Sequence, residues 1–281
     1  MKKTSPSLEA ITEAVERLCI EANRHLPQDV RRALREAREK ETWPGARDVL
    51  DKIIANFELA EKRQVPICQD TGMACVFLEL GRDLHIEGDL QAAVDEGVRR
   101  GYRKGYLRGS VVADPLNRVN TADNTPALVY LDLVPGDRLT ITVAPKGFGS
   151  ENMSRIKMLR PSDGVRGIID FVTETAEEAG PNACPPIVLG VGIGGSFDKA
   201  ALLAKKALIR PLGTVHPDPF YGELERTILE KVNALGIGPQ GFGGLTTALA
   251  VAIEAMPTHI AALPCAVNIN CHVTRHATEV L

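Results

Sequence analysis

The sequence predicts a mixed α/β fold (α+β in organisation), with mixed sheets flanked by helices in a single two-lobed unit. Three observations carry the prediction. Apolar residues recur at helical spacing near the amino terminus, as at Leu8, Ile11, Val15 and Leu18. Short apolar runs, among them 74–80 and 187–191, lie between turn-forming residues and read as buried strands. Internal repeats, low-complexity segments and flexible linkers are missing from the 281 residues, which favours one unit over independent domains.

Composition narrows the function classes. Hydrophobic content of 44% and charged content of 25% belong to an ordinary globular chain with a large core. A net charge of -3 argues against general nucleic-acid binding, which needs a basic face, while a few local arginines suffice for a small anionic substrate. Met1-Lys2-Lys3-Thr4-Ser5 leads into an amphipathic segment with Glu9, Glu13 and Glu16 rather than the apolar run of a signal peptide. With no membrane-spanning stretch, six cysteines are expected to be reduced thiols in the cytoplasm, some of them candidate metal ligands.

Along the chain, Ser5 is placed to cap a first helix that carries Pro6 and Glu9 in its first turn, with Cys19 beside its apolar stripe, and Pro27 ends it. A mostly solvated helix over 29–41 and a third over 46–61 deliver the chain to Val65-Pro66-Ile67-Cys68-Gln69-Asp70-Thr71-Gly72. There a thiol, an amide, a carboxylate and a hydroxyl arrive in succession. Pro66 restricts entry and Gly72 permits positive φ on leaving, so a tight turn is expected, leading into the strand 74–80. A reactive loop held on a strand end fits this pattern; so does a satisfied polar turn with an inert cysteine.

A helix over 90–103 leads to Gly105-Tyr106-Leu107-Arg108-Gly109-Ser110, where glycines flank Arg108 as an anion-binding arginine requires, although a surface arginine in a turn reads the same way. The polar loop 120–126 carries no assignable chemistry. Strands over 127–133 and 138–145, joined at Pro135-Gly136-Asp137, read as a hairpin that ends in Lys146-Gly147-Phe148-Gly149-Ser150-Glu151-Asn152, a loop whose backbone donors can approach a ligand. After a helix over 163–178 with Gly180 as its C-cap, Cys184 sits in a stiff turn before the strand 187–191.

Gly190 to Gly195 formally matches G-x-G-x-x-G. No strand ending in an acidic residue follows, and Pro211, Pro217 and Pro219 break the chain there, so a close helix-to-strand packing turn is preferred to a nucleotide site. Ser196 is placed to cap a helix over 197–209. A helix over 221–235, a second glycine cluster over 236–244, a helix over 245–255, then His259, a strand over 261–269 and Asn270-Cys271-His272 complete the reading.

Cys68, Cys184 and Cys271 thus share a setting, a polar turn beside an apolar strand, whereas Cys19, Cys75 and Cys265 lie inside apolar runs. A structural zinc site more often shows paired cysteines at C-x2-C spacing, which this chain lacks. Three widely separated thiolates suit a cubane iron-sulfur cluster that leaves one iron open to substrate.

Taken together, the 67–72 turn, the Gly149-Ser150-Glu151-Asn152 loop, Gly190 to Phe197, Gly236 to Gly244, and Asn270-Cys271-His272 with Arg275 resemble the class I, iron-sulfur-dependent fumarate hydratases and the related L(+)-tartrate dehydratases. The similarity covers nearly the whole chain and matches the amino-terminal domain or alpha subunit alone. It implies a [4Fe-4S] cluster on Cys68, Cys184 and Cys271, a small dicarboxylate bordered by Gln69, Asp70, Arg108, Gly149 and His259, and a beta subunit that brings the remaining cations and the base to a hetero-oligomer. Asp70 and His259 are then the candidates for proton handling, or else a turn-stabilising carboxylate and a structural imidazole. Fumarate hydration is expected ahead of tartrate dehydration, and a non-catalytic zinc-binding or redox-sensing subunit is the rival of another class.

Overall fold

The computed structural model describes residues 6–281; the expected cap at Ser5 lies outside them. In chain order the elements are α1 (Leu8–Arg24), α2 (Gln28–Lys40), α3 (Pro44–Arg63), β1 (Met73–Gly81), α4 (Leu90–Lys104), β2 (Leu128–Val134), β3 (Leu139–Lys146), α5 (Phe148–Glu151), β4 (Arg155–Leu159), α6 (Gly164–Ala179), β5 (Ile187–Gly195), α7 (Phe197–Ala207), α8 (Pro219–Ala234), β6 (Ala248–Thr258), β7 (Leu263–Asn270) and β8 (Ala277–Val280). The fold is mixed α/β, with two four-stranded mixed sheets among the described residues and helices packed on them. The chain divides into two compact units: one holds the residues up to Pro27, Phe57–Gly147 and Arg275–Leu281, the other Gln28–Asn56 and Phe148–Thr274.

In unit one the sheet order is β2-β1-β3-β8, with β2 parallel to β1 and the other pairs antiparallel. Helix α1 begins at Ser7, whose hydroxyl accepts the Ala10 amide at 3.1 Å, and lays Ile11, Val15 and Leu18 into a core shared with Val76, Leu78, Val98 and Ile141. Each such burial contributes about 1.5–3 kcal/mol. The two helices of this core approach closely because α4 turns glycine toward α1; a Cβ on Gly97 would lie 2.6 Å from the Thr12 carbonyl oxygen. The expected hairpin does not form. β1 lies between β2 and β3 and pairs with both, its buried apolar residues filling the centre of the sheet, while the Pro135-Gly136-Asp137 turn passes around its end, where Asp83 donates to the Gly136 carbonyl.

In unit two the order is β4-β7-β5-β6; β5 runs parallel to β6 and antiparallel to β7. Helices α6 and α8 cover one core with Ile187, Leu189, Ile253 and Val267, and α7 packs through Ala200 and Ala204 against Ala266. The glycine run belongs to β5 itself. A Cβ on Gly190 would lie 2.1 Å from the Ala204 carbonyl oxygen and one on Gly192 2.0 Å from that of Ala200, so these glycines let α7 lie against the strand. Ser196 stands at the N-cap of α7, but its hydroxyl bonds the Asp198 carboxylate instead of an amide. The expected helix over 245–255 is in fact strand β6. Its alanines favour a helix locally, but the parallel ladder with β5 and burial of Val251 and Ile253 override that preference.

Candidate functional site

In unit one the Cys68 turn is shaped from outside itself. Ile67 donates to the Asn23 carbonyl at 3.0 Å, fixing entry. The Asp70 amide lies 3.4 Å from Cys68 Sγ, the thiol faces Gln69 Oε1 at 3.5 Å, and Asp70 Oδ1 accepts the Gly72 amide at 3.1 Å in a local turn. Gly72 has φ 74°, and a Cβ there would lie 2.5 Å from the Lys146 carbonyl oxygen, so no other residue fits.

The three carbonyls at the end of the turn each receive a side-chain donor. Arg275 donates through Nη2 to Asp70, the Tyr102 phenol to Thr71 at 2.8 Å and Gly72 at 2.9 Å, and Asn124 Nδ2 to Gly72 at 3.2 Å. Burial raises the Tyr102 phenol well above its ordinary pKa, so it remains a donor. Arg275 is itself buried, and its Nε has no hydrogen-bond partner among the described residues.

Arg108 stands on the adjoining loop. Its amide donates to Thr71 Oγ1 at 2.9 Å, while its exposed guanidinium makes no ion pair among the described residues. A cavity of about 400 Å³ opens beside this loop, lined in part by Arg99, Tyr102, Arg103, Gly109 and Asn124.

In unit two the antiparallel register Val188↔Asn270 puts the start of β5 and the end of β7 at one end of the sheet, and with them Cys184 and Cys271. Cys184 adopts φ 53°, and its carbonyl accepts the His272 amide at 3.3 Å. Gln240, from the second glycine cluster, donates through both its amide and its side chain to the Pro185 carbonyl at 2.8 and 2.7 Å, with its Nε2 3.1 Å from His272 Nδ1. Gly149 lies at the same end, in α5, near the Asn182 carbonyl. That short helix is anchored by Glu151, which accepts Lys205 Nζ at 2.7 Å and Asn268 Nδ2 at 2.6 Å, three residues before Cys271 on the chain.

His259 is placed elsewhere. It occupies the connection from β6 to β7 at the opposite end of the sheet, where Thr258 pairs with Gly195. The eight residues of β7 separate it from Cys271 by on the order of 25 Å. Its Nδ1 accepts the Ala261 amide at 3.2 Å, which leaves the proton of the neutral ring on Nε2. Unit two therefore brings Cys184, Cys271 and Gly149 together without His259.

The six thiols fall into two classes. Cys19, Cys75 and Cys265 are buried, and burial pushes Cys19 and Cys265 up to about 12, so they stay protonated. Cys68 and Cys271 are half-buried and Cys184 is exposed, as ligands that must meet an inserted group need to be. Among the described residues no three His, Cys, Asp or Glu side chains converge as they would around a single metal ion. Soft, accessible thiolates on strand-end turns fit an iron-sulfur cubane, which spreads its ligands wider than one ion does. Sequence reasoning missed Tyr102, Asn124 and Gln240, which read as an apolar helix residue and two loop amides.

A family model described as fumarate hydratase (fumerase) matches residues 12–280. A Methanocaldococcus jannaschii protein provisionally named L(+)-tartrate dehydratase subunit alpha is 44% identical over 276 residues, covering 96% of each chain. L(+)-tartrate dehydratase subunits alpha from Escherichia coli K12 and Shigella sonnei are each 34% identical over 272 residues, covering 95% of this chain and 89% of theirs.

Proposed function

Because the chain belongs to the family of class I fumarate hydratases and L(+)-tartrate dehydratase alpha subunits, and so to the hydro-lyases, we propose that it is the alpha subunit of a cytoplasmic iron-sulfur L(+)-tartrate dehydratase. The observation that carries this reading is the match along 96% of both chains to a relative named for tartrate. Fumarate hydration, the first expectation from the sequence although both activities share these motifs, becomes the second reading, supported by the description of the matching family model.

Cys68, Cys184 and Cys271 would hold a [4Fe-4S] cluster. When bound, such a cluster supplies an iron with an open position as a Lewis acid for the departing hydroxyl. The remaining work falls to side chains. Dehydration also removes a proton beside a carboxylate, and charge accumulates on that carboxylate as the proton leaves. Arg108, exposed and without an ion pair among the described residues, can take it in a bidentate pair, with the Gln69 side chain and the Gly149 amide fixing its orientation. Asp70, held by the Gly72 amide, is the candidate on this chain for polarising the substrate or handling its proton. One clamp leaves half of a dicarboxylate unpaired, so a beta subunit would bring the further cations and the base and exclude water.

The test is anaerobic reconstitution of the chain with iron and sulfide, alone and with its partner subunit, followed by assays of tartrate conversion to oxaloacetate and fumarate conversion to malate. Tartrate turnover that needs the partner is expected. Fumarate turnover alone would install the second reading, and zinc without sulfide in the purified chain would favour a non-catalytic subunit.

A further inference from the structure

The backbone of the Arg108 loop is tied down by side chains. The Arg108 amide donates to Thr71 Oγ1 at 2.9 Å, and that hydroxyl lies 3.3 Å from the Arg108 carbonyl, to which it donates. The Ser110 amide donates to Asn124 Oδ1 at 2.7 Å, and the Gly109 carbonyl accepts Asn120 Nδ2 at 3.0 Å. Thr71 is 2% exposed and belongs to the Cys68 turn, where its own carbonyl is held by Tyr102. One hydroxyl therefore ties both backbone polar groups of Arg108 to the turn that carries Gln69 and Asp70, with the Ser110 hydroxyl a second donor to the carbonyl at 3.3 Å.

We propose that Thr71 is a positioning residue for the Arg108 clamp, setting the distance at which its guanidinium meets a substrate carboxylate relative to Gln69 and Asp70. The physical reason is leverage. A long, exposed side chain gains pairing strength only if its stem starts from a fixed place, and this loop has no strand ladder to supply one. Valine has the shape of threonine but can neither accept the Arg108 amide nor donate to its carbonyl, so the amide loses its side-chain acceptor and the carbonyl keeps only the Ser110 hydroxyl, at 3.3 Å. The inference rests on the reading of Arg108 as a carboxylate clamp.

Its test uses the assembled enzyme, with cluster and partner subunit, and compares Thr71→Val, Thr71→Ser and Arg108→Ala singly and Thr71→Val in the Arg108→Ala background. Thr71→Val should raise KM about tenfold with a smaller change in kcat, the size of one lost hydrogen-bond partner. Thr71→Ser should restore the wild-type KM, and Thr71→Val should add nothing once Arg108 is gone. Should Thr71→Val fail to fold, as judged by its thermal unfolding midpoint, Thr71→Ala takes its place with the same expectations. An unchanged KM with a lowered midpoint, or a rise in KM undiminished in the Arg108→Ala background, would overturn the inference while leaving the clamp standing. A wild-type KM in Arg108→Ala would instead remove the clamp reading itself.

Discussion

Two cysteines six residues apart, one within strand β7 and one just past its end, live in different chemical worlds. Cys265 lies within the strand, fully buried, its thiol pushed up to about 12 by the apolar core. Cys271 lies one residue past the strand end, half-buried, beside a histidine bonded to the Cys184 backbone. β1 repeats the arrangement, with Cys75 inside the strand and Cys68 on the turn before it. Sheets here serve as rigid mounts, and a cysteine becomes available for chemistry by standing just off the end of one.

The largest expected effects separate these classes. In the assembled enzyme, Cys68→Ser or Cys184→Ser should reduce turnover to background, whereas Cys75→Ala should keep it; turnover retained in Cys184→Ser would merge the classes. Next comes Arg108→Lys, which keeps the charge but loses the planar fork. It should cost about 2–4 kcal/mol in transition-state binding, read from kcat/KM.

The buried thiols should show themselves at high pH. Cys19 and Cys265 hold their protons in the folded chain to about 12, against an ordinary thiol value of 9.0. A raised folded pKa gives stability that is complete below the unfolded value and is lost as pH rises through the folded one. The chain should therefore lose about 1.4 kcal/mol per pH unit per thiol above pH 9, as unfolded thiols ionise and folded ones do not. Denaturant titrations should find this slope shallower in Cys265→Ala. The smallest effect is that of Tyr102→Phe, which removes the donor to the Thr71 and Gly72 carbonyls. About 1–3 kcal/mol of stability should be lost, with the Cys184 turn untouched, as hydrogen exchange around each turn would show.

Local pattern made much of this legible. The strands through Val76, Leu189 and Val267 are visible as apolar runs between turn residues, and the more accessible cysteines as the ones set among polar turn-formers. Pairing was not visible. The Pro135-Gly136-Asp137 turn has hairpin chemistry, yet nothing near it in sequence announces that β1 intervenes. Ala248–Thr258 reads as a helix until β5 is available to pair with it, and β4 and β8 are too short to stand out. At the site the same rule holds: Tyr102 sits on an apolar helix face, and only the fold aims its hydroxyl at a turn thirty residues earlier.

If position beyond the strand end selects the cluster ligands, Cys265 within β7 and Cys271 just past it should behave oppositely. Cys271→Ser and Cys265→Ser chains, reconstituted anaerobically, would be compared for bound iron, acid-labile sulfide and cluster absorbance. A normal cluster is expected in Cys265→Ser and none in Cys271→Ser. An intact cluster in Cys271→Ser, with loss in Cys265→Ser, would contradict that selection.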